Sequence, residues 1–458
     1  MGSEVKLDEN EHRLAGLLDD PEALEHYHSS ELARLFKEIY HTEGKELFFR
    51  YLRKIPEEQL GELLLELPEY LKDEALEVLS AQKLSEAVDE LDSDDAADLM
   101  QDIGELDEEK ERQVLSNLDD EDVREIRALK NYDEEQAGSL MQTELFSAQL
   151  DEEIGEAVER LRRLKRDDGL ENIHQVFLVD KFGFLVGSMP LEDVITFEFD
   201  KTFREYLGEQ HKLIPSVKAT DPVDEVVKLF EDFDLVVLPV TDEKGKLIGR
   251  ITYDDIVDVI EERATDQIYK MAGVDEETEE ERDIGVITKK RAIWLGVNLV
   301  TAILASLVIG LFDETIKAYV ALAVLMPIVA SMGGNAGTQS LTVMVRQLAL
   351  GEIGWHEARS AVIREVLVSL LNGLIFAVVM GLIALLWFHD AKLGLVIGLA
   401  MVINLIFAGL FGAAIPLGLK RVGVDPAVAS SVLLTTVTDV VGFFAFLGLA
   451  KIILLSST

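Results

Sequence analysis

The chain has no cysteine and too few basic residues to balance its acids. Its 458 residues include 43 Lys and Arg against 86 Asp and Glu, for a net charge of −43. The absence of cysteine excludes disulfides, thiolate metal sites and cysteine nucleophiles. A nucleic-acid-binding function is excluded as well, because no basic patch stands out from the acidic background.

The negative charge is confined to one part of the chain. Residues 289–458 contain 11 basic and 8 acidic residues, whereas the preceding 288 residues contain 32 basic and 78 acidic ones. The sequence therefore joins an acidic part of soluble character to a nearly neutral, strongly apolar part. We expect no cleavable signal peptide, because residues 1–20 have no apolar core.

Five apolar runs follow residue 290, and each is long enough to cross a bilayer, which needs about 20 residues per helix. They cover residues 292–312, 318–345, 366–388, 393–419 and 427–450, and only the last contains an acid, Asp439. Core helices of soluble enzymes rarely stay uncharged for so long, five times in succession. The sequence therefore predicts a five-helix α transmembrane domain at 291–458.

The basic residues near these runs predict their orientation. With the acidic part in the cytosol, the cytosolic flanks hold eight Lys and Arg and the outer flanks hold three, in agreement with the positive-inside rule. The cytosolic set is Lys289, Lys290, Arg291, Arg346, Arg359, Arg364, Lys420 and Arg421, and the outer set is Lys317, Lys392 and Lys451. We expect a multi-pass protein of the cell (inner) membrane with a cytosolic amino terminus and an outer carboxyl terminus. The odd number of spans favours a homodimer with a pore on its twofold axis.

Residues 1–137 are predicted to form an acidic, all-α domain, because leucines recur at helical spacing between acidic turns. The segment LDSDDAADL at 91–99 matches LDDEDVREI at 118–126, an offset of 27 residues. This repeat favours a small superhelical α-solenoid, with a generic helical bundle as the open alternative.

Residues 138–262 are predicted to alternate helix and strand in two similar copies. The segment LVDKFGFLVG at 178–187 matches VTDEKGKLIG at 240–249, an offset of 62 residues. Each copy is a strand, a glycine turn, a second strand and a helix that begins with acids, and the glycine supplies the positive φ of a tight turn. The pattern resembles a tandem pair of cystathionine-β-synthase (CBS) motifs, an α/β regulatory module. Such pairs often bind adenine nucleotides, so ATP or a related nucleotide is a secondary expectation. A connecting helix and an acidic linker follow at 263–290.

Two of the apolar runs contain polar residues that a membrane disfavours. The second holds SMGGNAGTQS at 331–340, preceded by Pro327, which is expected to kink the helix. Gly333, Gly334 and Gly337 allow either close approach of backbones or unwinding around an ion. The amides of Asn335 and Gln339 should face protein or water. A polar contact between helices is the alternative interpretation.

The fifth run holds LTTVTD at 434–439, which places a carboxylate in the bilayer with no basic residue of the same span to neutralise it. An ionised acid at mid-membrane costs roughly 3 kcal/mol on insertion scales. We interpret Asp439 as a cation ligand that lines a wet pore, with oxygen atoms from Thr435, Thr436 and Thr438 beside it. A protonated Asp in a helix contact is the alternative. Carboxylate-led oxygen ligands suit Mg²⁺ or Ca²⁺ better than Zn²⁺ or Cu⁺.

The motifs PIVASMGGNAGTQ (327–339) and TTVTDVVG (435–442), together with the order of domains, resemble the MgtE family of magnesium channels and transporters. The resemblance covers essentially the whole chain. It implies a homodimer that passes Mg²⁺ and closes when cytosolic Mg²⁺ is high. It also implies that Asp439 binds the pore ion, that Asn335 flanks the pore, and that Pro327, Gly333, Gly334, Gly337 and Gly442 shape it.

The same resemblance assigns a set of regulatory magnesium ligands to the acidic part. They are Asp94, Asp95 and Asp98 in the helical domain, Asp234, Asp255 and Asp258 in the second CBS copy, and Asp266 in the connecting helix. Arg263 and Gln267 stand where family members carry acids. Cations between these carboxylates would relieve the repulsion within the acidic part and draw its domains together.

Alternative functions remain open from the sequence. One is a CBS-regulated transporter of another solute, such as an anion, an osmolyte, or a different divalent cation such as Co²⁺ or Mn²⁺. Another is a membrane nucleotide sensor without transport activity, which would leave five spans and an intramembrane acid unexplained. No catalytic constellation or phosphate-binding glycine loop stands out, so we do not expect an enzyme.

Overall fold

The computed structural model describes residues 16, 24, 26–166, 170, 172–209, 215–274, 284–349, 353–354, 357–428 and 430–455. Two compact units divide the chain, one ending at Glu261 and the other starting at Glu262. Most of residues 1–20, on which the signal-peptide expectation rests, and the acidic part of the linker at 275–283 lie outside the described residues.

The amino-terminal part of the first unit is entirely helical among its described residues. Its helices are α1 (Ser29–Thr42), α2 (Lys45–Leu52), α3 (Glu57–Glu66), α4 (Glu69–Val78), α5 (Ala81–Asp89), α6 (Ser93–Leu106), α7 (Glu108–Leu115) and α8 (Asp120–Leu129). Local sequence sets several starts: Ser80 accepts a hydrogen bond from the Lys83 amide at α5, and Asp107 accepts from Glu109 and Lys110 at α7.

Alternating contacts arrange these helices as a superhelix. The odd-numbered helices pack in succession, α1 on α3, α3 on α5 and α5 on α7, and so do the even-numbered helices from α2 to α8. The predicted 27-residue repeat corresponds to α6 and α8, which start at Ser93 and Asp120. Helices that stack two apart along the chain form a solenoid, so the structure favours this prediction over a generic bundle.

The rest of the first unit contains two three-stranded sheets of the same topology. In one, β1 (Ser147–Gln149) pairs parallel with β2 (Gln175–Val179), and β2 pairs antiparallel with β3 (Leu185–Pro190). In the other, β4 (Val217–Lys218), β5 (Val237–Thr241) and β6 (Leu247–Thr252) repeat the order. The helices are α9 (Ile154–Arg166), α10 (Leu191–Thr196), α11 (Phe203–Glu209) and α12 (Val223–Phe233).

The predicted 62-residue repeat is confirmed in detail. Strands β2 and β3 precede β5 and β6 by 62 residues, and each hairpin has an irregularity at the equivalent position. The turn glycines Gly183 and Gly245 have φ of 86° and 87°, the left-handed conformation that the sequence predicted. The two turns also join each other, because the Leu185 amide donates to Gly245 O and the Leu247 amide donates to Gly183 O.

The helical domain docks against the second CBS copy inside this unit. Ala97 of α6 and Leu129 of α8 share a buried apolar cluster with Val226, Ile251 and Ile256. A polar contact lies beside it: the Ser93 hydroxyl donates to Glu144 Oε2 at 2.9 Å and accepts from the Thr143 amide at 2.8 Å. These contacts position the acidic start of α6 next to the second CBS copy.

The second unit contains five helices long and apolar enough to cross a membrane among the described residues. They are α14 (Ile284–Gly310), α16 (Ala321–Ala349), α17 (Ala358–Phe388), α18 (Ala391–Arg421) and α19 (Ser430–Ala450), the last extended by a π-helical turn at Lys451–Leu455. A short helix, α15 (Asp313–Ala318), joins the first two spans. The connecting helix is the later part of α13 (Tyr253–Ala272), which also supplies the last helix of the CBS pair.

The fourth span, α18, is the core of the membrane unit. It packs against α16, α17 and α19, and 61% of the residues in its apolar 18-residue stretch are buried. Glycines allow these close contacts: a Cβ on Gly394 would lie 2.6 Å from Gly381 O, and one on Gly412 would lie 2.8 Å from Gly337 O. Small residues at helix contacts let backbones approach where no hydrophobic effect drives association.

Candidate ion-binding sites

The second span carries an exposed polar stripe. Ser331, Asn335, Thr338, Gln339 and Thr342 recur at helical spacing along α16, and all five are exposed. The Asn335 amide has a long contact of 3.4 Å to the Ser331 hydroxyl on the same face. Amides and hydroxyls are costly in hydrocarbon, so this face needs water or another protein surface beside it.

A second polar stripe lies on the fifth span. Ser431, Thr435 and Asp439 follow each other at intervals of four residues, and none of the three is buried. The hydroxyls of Thr435 and Thr436 donate to the carbonyls of Ser431 and Val432 at 2.9 and 2.7 Å, which leaves their oxygen lone pairs free to accept. This face can therefore present oxygen atoms to a cation or to its water shell.

Thr438 differs from its predicted role as a pore ligand. It is fully buried, and its hydroxyl donates to Thr435 O at 3.1 Å. Successive helical residues are separated by about 100° around the axis, so Thr438 lies about 60° from Thr435 and about 100° from Asp439, at the buried edge of this face. In the protomer it packs between helices.

The Asp439 side chain is partly exposed and has no neutralising partner. Within the described part of the chain its carboxylate makes neither an ion pair nor a hydrogen bond. The sequence already shows that the span itself has no basic residue to neutralise Asp439. An acid in this position is costly unless water or a cation compensates it.

The two stripes lie at the same depth in the membrane unit. A Cβ on Gly333 of α16 would contact the Asn404 side chain, as would one on Gly442 of α19, and Gly337 faces Leu434. Gly333 therefore lies at about the level of Gly442, and Gly337 at about the level of Leu434. Residue numbers rise along one helix and fall along the other, so the two helices run antiparallel. Asn335, midway between the glycines, is level with the turn that holds Asp439.

The predicted pore-shaping residues divide into contact residues and surface residues. Gly333, Gly337 and Gly442 are buried where other helices approach, whereas nothing lies within 4 Å of a Cβ built on Gly334. Pro327 is exposed inside α16, which remains one continuous helix. The glycines thus serve close approach of helices, and the unwound alternative is not adopted.

The acids at the contact between the helical domain and the CBS pair form a cluster of mutually repelling carboxylates. Burial, followed by the charge of Asp255, raises the pKa of Asp95 to about 7 and holds that of Asp94 well above its usual range. Burial also raises the pKa of Asp98 and of Asp255 to about 6, although the Asp98 side chain reaches the surface. These are the groups that the resemblance assigned to regulation.

One oxygen of this cluster is suited to bind a metal ion. Asp94 is 5% exposed, and its Oδ1 is buried with no hydrogen-bond partner in the described part of the chain. A divalent cation would satisfy that atom and offset the repulsion from the neighbouring carboxylates, so the residues present fit such an ion. Among the described residues, however, no three acidic or histidine side chains already converge on one point. Binding therefore requires side-chain rotation or further ligands.

The remaining predicted regulatory acids lie elsewhere. Asp234 caps α12 in the left-handed conformation with φ of 50° and is exposed, as is Asp258 on α13. Asp266 already has a cation of its own chain beside it, because Lys270 Nζ lies 2.5 Å from its Oδ2 and 3.3 Å from Asp425 Oδ2. A metal ion at Asp266 would have to displace this ion pair.

Some site residues were absent from the sequence prediction. Ser331, Thr342 and Ser431 extend the polar stripes. Steps of four residues from Asn335 and Asp439 would have found Ser331 and Ser431, and a step of seven from Asn335 would have found Thr342. Asn404, a fully buried amide in α18, was also missed, although it is an isolated polar residue in a long apolar run.

Comparison with known families gives three matches along the chain. Residues 326–449 match the MgtE divalent cation transporter model, and residues 27–135 match the MgtE intracellular N domain. Residues 211–262 match the CBS domain, which corresponds to the second of the two sheets described above.

Relatives found by sequence agree with these matches. The chain is 33% identical to magnesium transporter MgtE of Thermus thermophilus over 332 residues, 72% of each chain, and 32% identical to that of Enterococcus faecalis over 71% of each. A solved soluble part of a magnesium transporter, 25% identical, aligns over 56% of this chain and 99% of its own with a TM-score of 0.49. The cytosolic domain of the Mg²⁺ channel MgtE in complex with ATP, 31% identical, aligns over 54% and 97% with a TM-score of 0.48. On the strength of the sequence relatives and the family matches, this chain belongs to the MgtE family of magnesium transporters.

Proposed function

We propose that this protein conducts Mg²⁺ into the cell along a wet path lined by the polar stripes of α16 and α19. The observation that carries the proposal is the exposure of both stripes on a unit that otherwise presents apolar side chains to the membrane. Asn335 and Asp439 lie at one depth on the two stripes, and together they would hold the ion. Exposed amides, hydroxyls and a carboxylate at that depth are favourable only beside water.

The ion passes Asp439 largely hydrated. Mg²⁺ loses its water reluctantly and is usually held by one or two carboxylates with several waters retained. One Asp439 per protomer, with the acceptor oxygens of Thr435 and Thr436 nearby, supplies a charge and a set of hydrogen-bond acceptors for that water shell. The stripes contain no cationic residue at this depth, which disfavours an anion path.

A second copy of the chain completes the path. The stripes are open on one side in a single protomer, and a twofold partner would enclose them and add a second Asp439. The soluble unit has a compatible surface: Tyr253, Val257 and Ile260 form an exposed apolar face on α13 at spacings of four and three residues. We propose that this face packs against its counterpart in a homodimer.

Cytosolic Mg²⁺ closes the path by binding at the acid cluster of Asp94, Asp95, Asp98 and Asp255. Without a cation, these carboxylates oppose docking of the helical domain on the CBS pair, because they lie next to others of the same charge and Asp94 among them is buried. A bound dication removes this repulsion and favours the docked state. It acts only to the extent that it binds the docked state more tightly than the separated one.

The connecting helix transmits the change to the membrane unit. Its Lys270 pairs with Asp425 in the segment just before α19, and its Met271 packs against the cluster of Leu341, Ala427 and Leu434. Movement of this helix would therefore displace the start of the span that carries Asp439. Transport of another divalent cation and an effect of ATP at the CBS pair are separate proposals that the flux measurements below address.

The test is ion flux through the full chain reconstituted in liposomes. Asp439→Ala should abolish Mg²⁺ uptake while the protein remains folded and inserted. Asp313→Ala is the matched control, since Asp313 is an exposed acid paired with Lys317 away from both stripes. Wild-type flux in Asp439→Ala would refute the pore assignment. A panel of Mg²⁺, Co²⁺, Mn²⁺ and Ca²⁺ in the same assay, with and without ATP, would identify the transported ion and any nucleotide effect.

A further inference from the structure

A buried amide in the fourth span has no explanation in the path described above. Asn404 lies in the middle of α18 and is completely buried. Its Nδ2 donates to Val329 O of α16 at 2.8 Å, whereas its Oδ1 is buried without a hydrogen-bond partner among the residues that the structure describes. A polar group in such a place costs stability, and an apolar side chain of similar size would fill the space without leaving an oxygen unpaired. Packing alone therefore does not account for asparagine.

The surroundings of this amide link it to both stripe-bearing helices. A Cβ on Gly333 of α16 would lie 2.2 Å from Asn404 Nδ2, and one on Gly442 of α19 would lie 2.8 Å from the same atom. The amide thus occupies space that exists only because both positions are glycine. One side chain of the central helix is wedged between the two helices that carry Asn335 and Asp439.

The contact lies close to the ion-binding level. Gly333 precedes Asn335 by two residues, and Gly442 follows Asp439 by three, so each glycine is less than one helical turn from the group concerned. The hydrogen bond to Val329 O fixes the amide on α16, and the contact with Gly442 limits how closely α19 approaches. A shift of either helix at this point is carried directly to the spacing between Asn335 and Asp439.

We propose that Asn404 is a positioning residue that sets this spacing and thereby determines which hydrated cation the path accepts. The inference rests on the proposed function, because it deepens the assignment of Asn335 and Asp439 as the ion-binding pair. The residue acts through the separation of α16 and α19 and does not contact the ion. Geometric control of this kind discriminates between Mg²⁺, which demands a compact octahedral shell, and the larger and more flexible Ca²⁺.

The test uses the full chain in liposomes and compares the ratio of Mg²⁺ to Ca²⁺ flux. Asn404→Leu keeps the approximate volume but removes the hydrogen bond to Val329 O. We expect the ratio to fall about tenfold, the size associated with loss of one positioning hydrogen bond, with a shift in the half-saturating Mg²⁺ concentration. Gly442→Ala, which pushes α19 away from the amide, should shift the ratio as well and provides a second reading if Asn404→Leu fails to fold.

Ser369→Ala is the control. Ser369 is a buried serine of α17 whose hydroxyl faces Gly409 of α18, the helix that also carries Asn404. It should leave the flux ratio unchanged. An unchanged ratio in both Asn404→Leu and Gly442→Ala would overturn the proposal, as would an equal shift in Ser369→Ala. Failure of the proposed function is recognised separately, because Asp439→Ala would then retain wild-type flux whatever the Asn404 variants do.

Discussion

Replacing Asp95 by asparagine should allow the helical domain to dock on the CBS pair without Mg²⁺. Burial and the charge of Asp255 raise the pKa of Asp95 from 3.8 to about 7. Each pKa unit corresponds to about 1.4 kcal/mol, so a shift of roughly three units disfavours the ionised carboxylate by about 4 kcal/mol in all, and the part due to Asp255 and to burial against the CBS pair opposes docking. Asp95→Asn removes that charge and keeps the size of the side chain.

The assay is limited proteolysis of the full chain at pH 8, in EDTA and in millimolar Mg²⁺. The wild-type protein should be protected only by Mg²⁺, because the dication offsets the repulsion that opposes docking. Asp95→Asn should be protected in EDTA as well, and its cleavage rate should depend little on Mg²⁺. An energy of about 4 kcal/mol corresponds to a change of roughly a thousandfold in an equilibrium constant, so even the part of it that opposes docking is measurable.

Asp73→Asn is the matched control for this variant. Asp73 is also a partly buried acid of the helical domain with a raised pKa, caused first by burial, but its charged neighbours lie within that domain. It should behave as the wild-type protein does. If Asp95→Asn is cleaved in EDTA as rapidly as the wild type, repulsion at this cluster does not control docking and the sensor account fails.

Three further outcomes follow from the structure. In EDTA, docking should be strongest below about pH 4 and weaken as the pH rises through 6 to 7, because the raised pKa values of Asp95 and Asp255 favour the protonated, docked state. Limited proteolysis across this pH range measures docking, and protection that increases with pH would contradict the prediction. Lys270→Met breaks the ion pair to the segment before α19 and should raise flux at high cytosolic Mg²⁺ by roughly twofold to fivefold, the range for a partly exposed pair. Wild-type flux at high Mg²⁺ would show that this ion pair does not connect the connecting helix to the path. Gly245→Ala, at φ of 87°, should destabilise the soluble unit by about 1 kcal/mol in thermal unfolding, whereas Gly208→Ala, with open space around it, should not.

The sequence predicted the architecture well where a pattern is local. The 62-residue repeat located both CBS hairpins and their turn glycines, because a tight turn with positive φ restricts the residue type strongly. The spans were found by hydropathy, but their ends were not: α17 begins at Ala358, eight residues before the predicted run, because Arg364 and Glu365 interrupt the apolar pattern at its cytosolic end.

The site was predicted only in part, because helix faces and contacts between helices are not local. Asp439 and Asn335 stand out as polar residues in apolar runs, whereas the burial of Thr438 depends on the helices that pack beside α19. The role of Asn404 depends on its position opposite Gly333 and Gly442, which are 71 and 38 residues away in sequence. Only the packed structure brings these residues together.

The central claim is that the polar stripes line a water-filled path, and cysteine accessibility tests it most directly. The chain has no cysteine, so single-cysteine variants can be labelled in the full protein without background. Thr435→Cys lies on the stripe with Asp439, whereas Leu433→Cys replaces a residue that is 45% exposed on a different face of α19. A water-soluble thiol reagent applied to membranes should modify Thr435→Cys rapidly, more slowly when Mg²⁺ is added, and should leave Leu433→Cys nearly unmodified. Equal modification of the two positions, or no reaction at Thr435→Cys with Mg²⁺ removed, would contradict the claim.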